Sequence, residues 1–348
     1  MKRRTVVTGL LAAPAFMGSA KAQARTMQMG IWGGLQGEFV RKTVVPPFEA
    51  EHNCKVLLEE GVTLSQVARL RATKDAPKYS LMFIDPLGIE LAKREGLIEA
   101  LPKDAIPNLA IIYPRYLLEE GYGVAFGVTA ASMFFNPTKV KAPGSYADLW
   151  DPALKKRVTI IGVRNTPSAF LVIAAAAIAT GKPLAEAQYL TDAAWPKLAE
   201  LKPNVANLFE SNIAATYVSQ GEADIGAIDY SQYIYPYTAK GAPVDMAFPK
   251  EGAFAGHNCM VRVKNGPHPD LAAAFMNRML DRTVQKGLSE AGLSAPSVEG
   301  ITFAPEVAKM LPYPLSKVEQ MGLFNPDAAN INKNRSAWIE KLNQIFVS

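Results

Sequence analysis

The stretch MGIWGGLQGEF, residues 29–39, places four glycines around one tryptophan near the start of the chain. An apolar run at 26–32 leads into it and predicts a strand, and the amphipathic run at 37–51 predicts a helix. The glycine spacing is neither G-x-G-x-x-G nor G-x-x-x-x-G-K-S/T, so the turn is not predicted to be a nucleotide loop. We expect instead that the glycines leave room for a ligand and that Trp32 is the wall on which it rests.

The rest of the chain alternates short apolar runs with longer amphipathic ones, which is typical of an α/β fold. Strands are predicted at 54–61, 79–85, 158–162 and 224–230. Helices are predicted at 63–74, 86–96, 145–157, 167–180, 194–204, 212–223, 269–291 and 333–346, and we expect Pro46-Pro47 to break the helix at 37–51. Two apolar, glycine-studded segments, 120–136 and 248–263, are predicted to cross between two lobes.

The N-terminus has the organisation of a secretory signal. A basic start, Lys2-Arg3-Arg4, precedes an apolar run at 6–17 and a small-x-small site at 22–24, so residues 1–24 are predicted to be removed on export. The paired arginines are compatible with twin-arginine export, and the sequence leaves the route open. The mature chain is therefore expected to be exported.

Charge and cysteine content exclude some functions and leave others open. The chain has 37 Lys+Arg against 32 Asp+Glu, and four of these basic residues lie in the predicted signal. The remaining balance is close to neutral, so neither nucleic-acid binding nor attachment to anionic membranes is expected. Cys54 and Cys259 could pair in an oxidising compartment or remain free, and no metal site is predicted around them.

Several blocks of sequence resemble one known family. They are the Trp32 turn, REGLIEAL (94–101), SYADLWDPALKKRV (145–158), KPNVANLFES (202–211), SQGEADIGAI (219–228) and FPKEGAF (248–254). In their order and spacing, the chain resembles periplasmic solute-binding proteins of ABC importers and is most similar to the spermidine/putrescine-binding branch. The resemblance implies a two-lobed periplasmic-binding-protein fold (type II) with two crossover hinge segments.

The same resemblance implies a periplasmic location, a mechanism and partners. The lobes would close around a small organic ligand, and the closed form would deliver it to an inner-membrane permease with its ATPase. No cofactor is expected, and the chain is expected to be a monomer. The expected division is a first lobe at 25–128 and 253–302, and a second lobe at 129–252 and 303–348.

Ligand-binding candidates follow from strand ends and from the resemblance. They are Trp32, Gly33, Asp85, Arg164, Asn165, Thr166, Ser211, Asp229, Tyr230 and His257. The family's two second-lobe carboxylates fall at about Val163 and Thr166, so that acidic pair is absent. An arginine favours a carboxylate or phosphate partner, so Arg164 predicts a zwitterionic ligand whose amine contacts Asp85 or Asp229.

Each candidate also has a structural interpretation. Trp32 could belong to the core, Asp85 could cap the helix that follows it, and Arg164 could lie on the surface. Asp229 could be a buried carboxylate bonded to backbone N–H groups, and His257 could pack at a hinge.

Two other functions stay open. Ferric-ion or thiamine-type binding is possible in the same fold, but no adjacent tyrosine pair occurs among Tyr230, Tyr233, Tyr235 and Tyr237. An exported enzyme is the second alternative. With three histidines and neither a G-x-S-x-G nor an H-E-x-x-H motif, the sequence offers no catalytic constellation, so no enzymatic activity is expected.

Overall fold

The computed structural model describes residues 25–210 and 213–347. The predicted signal at 1–24 and the candidate Ser211 lie outside the described residues, so both stay predictions. None of the helices in the described part is long and apolar enough to cross a bilayer.

The described chain forms one mixed sheet. Its strands are β1 (Arg25–Ile31), β2 (Cys54–Glu60), β3 (Leu81–Ile84), β4 (Ile98–Glu99), β5 (Leu117–Leu118), β6 (Gly123–Phe135), β7 (Val158–Ile161), β8 (Val205–Phe209), β9 (Ile225–Tyr230), β10 (Asp245–Ala247) and β11 (Phe254–Val263). The order along the sheet is β2-β1-β3-β11-β6-β9-β7-β8. Two parallel groups, β2-β1-β3 and β9-β7-β8, therefore flank the antiparallel pair formed by β6 and β11.

Helices cover this sheet. They are α1 (Gly34–Phe39), α2 (Val45–His52), α3 (Thr63–Ala72), α4 (Pro86–Arg94), α5 (Thr166–Thr180), α6 (Leu184–Ala187), α7 (Ala194–Leu201), α8 (Ala214–Ser219), α9 (Tyr235–Thr238), α10 (Pro269–Met279), α11 (Arg282–Glu290), α12 (Pro305–Met310), α13 (Leu315–Gln320) and α14 (Ala328–Phe346). A π-helical turn, Val40–Val44, joins α1 to α2, and a short 3-10 helix covers Tyr146–Trp150. The α/β fold class is thus confirmed.

The sheet buries its apolar side chains in two large cores. The first contains side chains of β1, β2 and β3 together with α10. The second surrounds α5, in which the eleven consecutive residues from Pro167 to Ala177 are all buried. Strand β6 contributes Val128 to the first core and Ala131 to the second. Strand β11 contributes Phe254 to the second core and Cys259 to the first.

The two predicted crossings form these two long strands. They pair with each other, and their register shifts between Asn258 and Cys259, where β11 lies opposite Gly127 and Ala125. The lobe boundaries remain proposals. Because Leu311 packs in the first core and Ile331 in the second, we propose that the first lobe extends beyond residue 302.

Some element predictions were wrong in detail. Pro46-Pro47 do not break the helical path, because they occupy the first turn of α2, where no N–H is needed. The helix predicted at 269–291 ends at Met279, and Asp281 starts α11 by accepting a hydrogen bond from the N–H of Thr283. Strand β8 was not predicted.

Both cysteines are buried and free, so they form no disulfide.

Candidate ligand-binding site

A cavity of about 350 Å³ lies where the carboxyl ends of the two parallel groups of strands face each other. From the first lobe it is lined by Trp32, Gly33, Gly34, Glu60, Gly61, Val62, Thr63 and Asp85, which follow β1, β2 and β3. From the second lobe it is lined by Asn165, Thr166, Pro167, Glu210, Tyr230 and Tyr233, which lie at the start of α5 and the ends of β8 and β9.

Six of the ten predicted residues meet in this cavity, and three do not. Those that line it are Trp32, Gly33, Asp85, Asn165, Thr166 and Tyr230. Arg164, Asp229 and His257 are not among its lining residues, and Ser211 is not described. Their ligand contacts stay proposals, but the structure shows which of them share one space.

Trp32 lies in the cavity wall and also packs against the core. Its ring is half-buried, with its centroid 5.9 Å from that of Phe83 and 6.4 Å from that of Phe126. The structural and the functional interpretations of Trp32 are therefore compatible.

Two of the four glycines around Trp32, Gly30 and Gly37, make room for the protein itself, whereas Gly33 and Gly34 line the cavity. A Cβ on Gly30 would lie 2.1 Å from Sδ of Met82, and a Cβ on Gly37 would lie 2.4 Å from the carbonyl oxygen of Trp32. Gly34 has a φ of +70°, in the left-handed region that favours glycine. A Cβ on Gly33 would lie 2.6 Å from Oε2 of Glu60.

Asp85 serves two structural purposes at once. Its Oδ1 accepts a hydrogen bond of 3.0 Å from the N–H of Gly88, so it caps α4. Its Oδ2 accepts a hydrogen bond of 2.6 Å from Oγ1 of Thr166, at the start of α5 in the second lobe. Asp85 thus joins the two sides of the cavity.

Glu60 is an acidic lining residue that we did not predict. It ends β2, and its carboxylate forms an ion pair with Arg41 from the π-helical turn. Both side chains are close to half exposed, at 45% and 44%.

Glu210 is the acidic residue on the opposite side, and it also was not predicted. It follows β8, and its Oε2 accepts a hydrogen bond of 3.0 Å from Nδ2 of Asn165. A Cβ on Gly162 would lie 2.9 Å from Oε1 of Glu210. The absence of a side chain at Gly162 therefore leaves the space that the Glu210 carboxylate occupies.

Tyr230 and Tyr233 complete the aromatic lining. Burial raises the pKa of both phenols above the usual value, and the negative charges nearby raise it further. Both therefore remain neutral phenols, and Tyr230 packs edge-on against Phe170 with a centroid distance of 6.3 Å.

The guanidinium near the cavity belongs to Arg335 rather than to Arg164. The Arg164 side chain is exposed, and its carbonyl oxygen accepts a hydrogen bond of 3.1 Å from Nη2 of Arg335. Arg335 lies on α14 and is 6% exposed. Burial lowers the pKa of its guanidinium, and the negative charge of Asp85 opposes that shift.

Asp229 and His257 are buried in strands and do not line the cavity. Asp229 is fully buried inside β9, where successive side chains alternate, so Tyr230 faces the cavity and Asp229 does not. Its Oδ1 accepts a hydrogen bond of 2.8 Å from the N–H of Tyr230. His257 lies inside β11, and its ring packs 5.6 Å from that of Tyr116.

The sequence contained a signal for both missed acids. Each stands at the end of a strand, the same rule that selected Asp85. Glu60 was missed because the predicted strand ran through it to residue 61. Glu210 was missed because β8 was not predicted.

Comparisons with known proteins agree with this architecture. Residues 77–315 match the model of the family described as bacterial extracellular solute-binding protein. The spermidine/putrescine-binding periplasmic protein of Escherichia coli is 26% identical over 324 residues, covering 88% of this chain and 89% of that protein. The putrescine/cadaverine-binding protein of Pseudomonas aeruginosa is 25% identical, covering 86% of this chain and 87% of that protein.

A solved structure extends the likeness to three dimensions. A crystal structure of an ABC transporter protein from Clostridium perfringens superimposes with a TM-score of 0.71 at 25% identity, covering 92% of this chain and 99% of that chain. The family match spans more than half of the sequence and includes the cavity residues from Asp85 to Tyr233. The chain belongs to the bacterial extracellular solute-binding protein family.

Proposed function

We propose that this protein is the periplasmic substrate-binding component of an ABC importer and that it captures a small organic solute bearing an amine. One observation carries the proposal. The cavity between the lobes is lined by three carboxylates, Glu60, Asp85 and Glu210, and by three aromatic side chains. Among the described lining residues there is no lysine, arginine or histidine.

This lining suits an ammonium group. Carboxylates accept charge-assisted hydrogen bonds from it, and an aromatic face attracts the cation and covers the attached carbon chain. Trp32 supplies such a face from the first lobe, and Tyr230 supplies one from the second.

The named relatives support an amine. Two of them are called spermidine/putrescine-binding and putrescine/cadaverine-binding proteins, and their identity of 25–26% to this chain extends over most of its length. That identity supports the class of ligand but not an individual compound, because the acidic pair that the family resemblance places at Val163 and Thr166 is absent here.

The proposed mechanism is hinge closure. A ligand that contacts both lobes favours the closed state by its differential affinity for that state. The hydrogen bond from Thr166 to Asp85 crosses the cleft and belongs to the closed arrangement. The closed monomer then delivers its ligand to an inner-membrane permease with its ATPase, and it performs no catalysis itself.

Residues 1–24 would direct export, with Arg3-Arg4 compatible with the twin-arginine route.

Ferric-ion binding is a poorer match for this chemistry. The described lining of the cavity offers two tyrosines that are not adjacent, Tyr230 and Tyr233, and it contains no histidine.

A thermal-shift screen of the purified mature protein tests the proposal. The panel holds polyamines, monoamines, amino acids, opine-like conjugates, thiamine, phosphonates and ferric iron. A true ligand at 100 times its dissociation constant adds about 2.7 kcal/mol to the free energy of unfolding. We expect a shift with at least one amine and recovery of that compound unchanged by mass spectrometry. A shift with ferric iron or phosphonates alone, or chemical conversion of the ligand, would contradict the proposal.

A further inference from the structure

The three carboxylates of the cavity differ in the charges that surround them. This difference bears on how many ammonium groups a ligand can carry. The question rests on the proposed capture of amines and asks which amines the site accepts.

Glu60 already has a cationic partner. Arg41 reaches it from the π-helical turn that interrupts α1 and α2, a feature that occurs often at functional sites. An ammonium group at Glu60 would therefore meet a guanidinium at the same carboxylate. Repulsion between the ammonium group and Arg41 therefore offsets part of the attraction between the ammonium group and Glu60.

Asp85 is also compensated. Both of its oxygens are occupied by hydrogen-bond donors, the N–H of Gly88 and Oγ1 of Thr166. It caps α4, so its charge faces the positive end of that helix, and the 15-residue helix α5 begins at Thr166 on the other side. The buried guanidinium of Arg335 lies close enough to Asp85 for the two charges to interact.

Glu210 differs from both. Among the described residues, the partner of its carboxylate is the neutral amide of Asn165. Asn165 is the N-cap residue of α5, so this carboxylate also lies at a helix start, but among the described residues no guanidinium or ammonium group forms an ion pair with it. The other oxygen, Oε1, lies 2.9 Å from where a Cβ on Gly162 would be.

We propose that the site selects a ligand with a single ammonium group, held at Glu210, whose other end is uncharged or anionic. Linear diamines are disfavoured, because their second ammonium would have to share Glu60 with Arg41 or Asp85 with two helix N-termini.

Titration calorimetry with matched compounds tests this selectivity. The four-carbon set is 4-aminobutan-1-ol, 4-aminobutanoate and 1,4-diaminobutane, and the five-carbon set has the same three end groups. We expect a single-ammonium compound to bind about tenfold more tightly than the diamine of equal length, since one uncompensated charge at a partly screened site is worth about that factor. Equal or tighter binding of the diamine would overturn the inference and leave the proposed function intact. If no compound with an amine binds, the proposed function fails as well.

Variants locate the cause. In Arg41→Gln, Glu60 loses its counter-charge, so the affinity ratio should move about tenfold towards the diamine. Lys42→Gln is the matched control, because it also removes one positive charge, at the next residue. Lys42 pairs with Glu38 outside the cavity, so the ratio of diamine affinity to single-ammonium affinity should stay unchanged. Equal shifts in both variants would overturn the role of the Arg41–Glu60 pair.

Glu210→Gln should weaken the single-ammonium ligand about tenfold, and Glu60→Gln less than about threefold. The reverse order would place the ammonium at Glu60 and contradict the inference.

Discussion

At the scale of single residues, Gly33 shows how packing shapes the cavity. Its missing side chain leaves the space in which the carboxylate of Glu60 lies, 2.6 Å from where a Cβ would be. The position therefore sets the place of an acidic group without touching the core. A methyl group at Gly33 should move Glu60 and leave the fold intact.

We expect Gly33→Ala to weaken the binding of a single-ammonium ligand less than about threefold, because Glu60 is already paired with Arg41, while the melting temperature of the ligand-free protein changes little. Calorimetry of binding and thermal unfolding together measure this difference. Gly144→Ala is the matched control, because a Cβ there has no neighbour within 4 Å. A loss of about tenfold in Gly33→Ala would show that the ammonium group depends on the position of Glu60 and would contradict its assignment to Glu210.

His257 gives a prediction on pH. Burial, together with the positive charge of Arg115, lowers its pKa to about 4 from 6.5. Between these values the unfolded chain binds a proton that the folded chain does not, so the free energy of unfolding rises with pH there. Acidification from pH 6.5 towards 4 should cost about 1 kcal/mol per pH unit through this residue.

Urea unfolding at pH 7 and pH 5 checks the effect. In His257→Gln the loss of stability between these two pH values should be smaller than in the wild type. His268→Gln, which replaces a more exposed histidine, should keep the wild-type pH dependence. Identical pH dependence in all three proteins would contradict the assignment to His257.

Cavity-lining residues could be predicted from the sequence where the end of a strand was recognised. Sequence reasoning selected Trp32 and Asp85, which follow β1 and β3 and line the cavity. It did not show that Asp229 lies outside the cavity lining, because the alternation of side chains within β9 was not applied. It could not find Arg335, whose approach to Asp85 depends on contacts between residues 250 positions apart.

At the scale of elements, the starts of α4 and α5 meet across the cleft. Asp85 caps α4 and accepts the hydrogen bond from Thr166 on α5. Helix α14 strengthens the same junction, because Nδ2 of Asn332 donates hydrogen bonds to the carbonyl oxygen of Leu87, at 2.7 Å, and to Oε2 of Glu90, at 2.6 Å. These contacts connect the two lobes outside the crossing strands.

The hydrogen bond from Thr166 should stabilise the closed state. Thr166→Val removes the hydroxyl and keeps the shape, so we expect ligand affinity to fall about fivefold, for a hydrogen bond worth about 1 kcal/mol. Thr166→Ser retains the hydroxyl and should bind as the wild type does. Calorimetry measures both, and equal affinity of the Val and Ser variants would contradict a role for this bond.

The sequence predicted the main strands and helices because their apolar periodicity is strong. It missed β8, whose VANLF run is short and partly exposed, and with β8 it missed Glu210 at the end of that strand. The break between α10 and α11 was missed because the capping function of Asp281 was not recognised.

At the scale of the whole molecule, β6 and β11 carry the chain between the two cores. The shift in register at Asn258 and Cys259 marks where their regular pairing is interrupted, and this is where we expect the hinge. The two-lobed fold was predictable from the order of sequence blocks, whereas the exact passage of the chain between lobes depends on packing.

Small-angle X-ray scattering should detect the movement. The radius of gyration should decrease when a saturating amine is added, because ligand contacts with both lobes favour the closed state. At a ligand concentration near the wild-type dissociation constant, the decrease should be several-fold smaller in Glu210→Gln, which binds about tenfold more weakly. An unchanged radius in the wild type, despite binding, would contradict hinge closure.

The most direct test of amine capture between the lobes compares the wild type, Glu210→Gln and Glu222→Gln by titration calorimetry with the best amine from the screen. Glu222 is exposed and lies outside the cavity, so its variant controls for loss of one negative charge. We predict that Glu210→Gln binds about tenfold more weakly than the wild type and that Glu222→Gln binds equally well. Undiminished binding by Glu210→Gln would contradict the account.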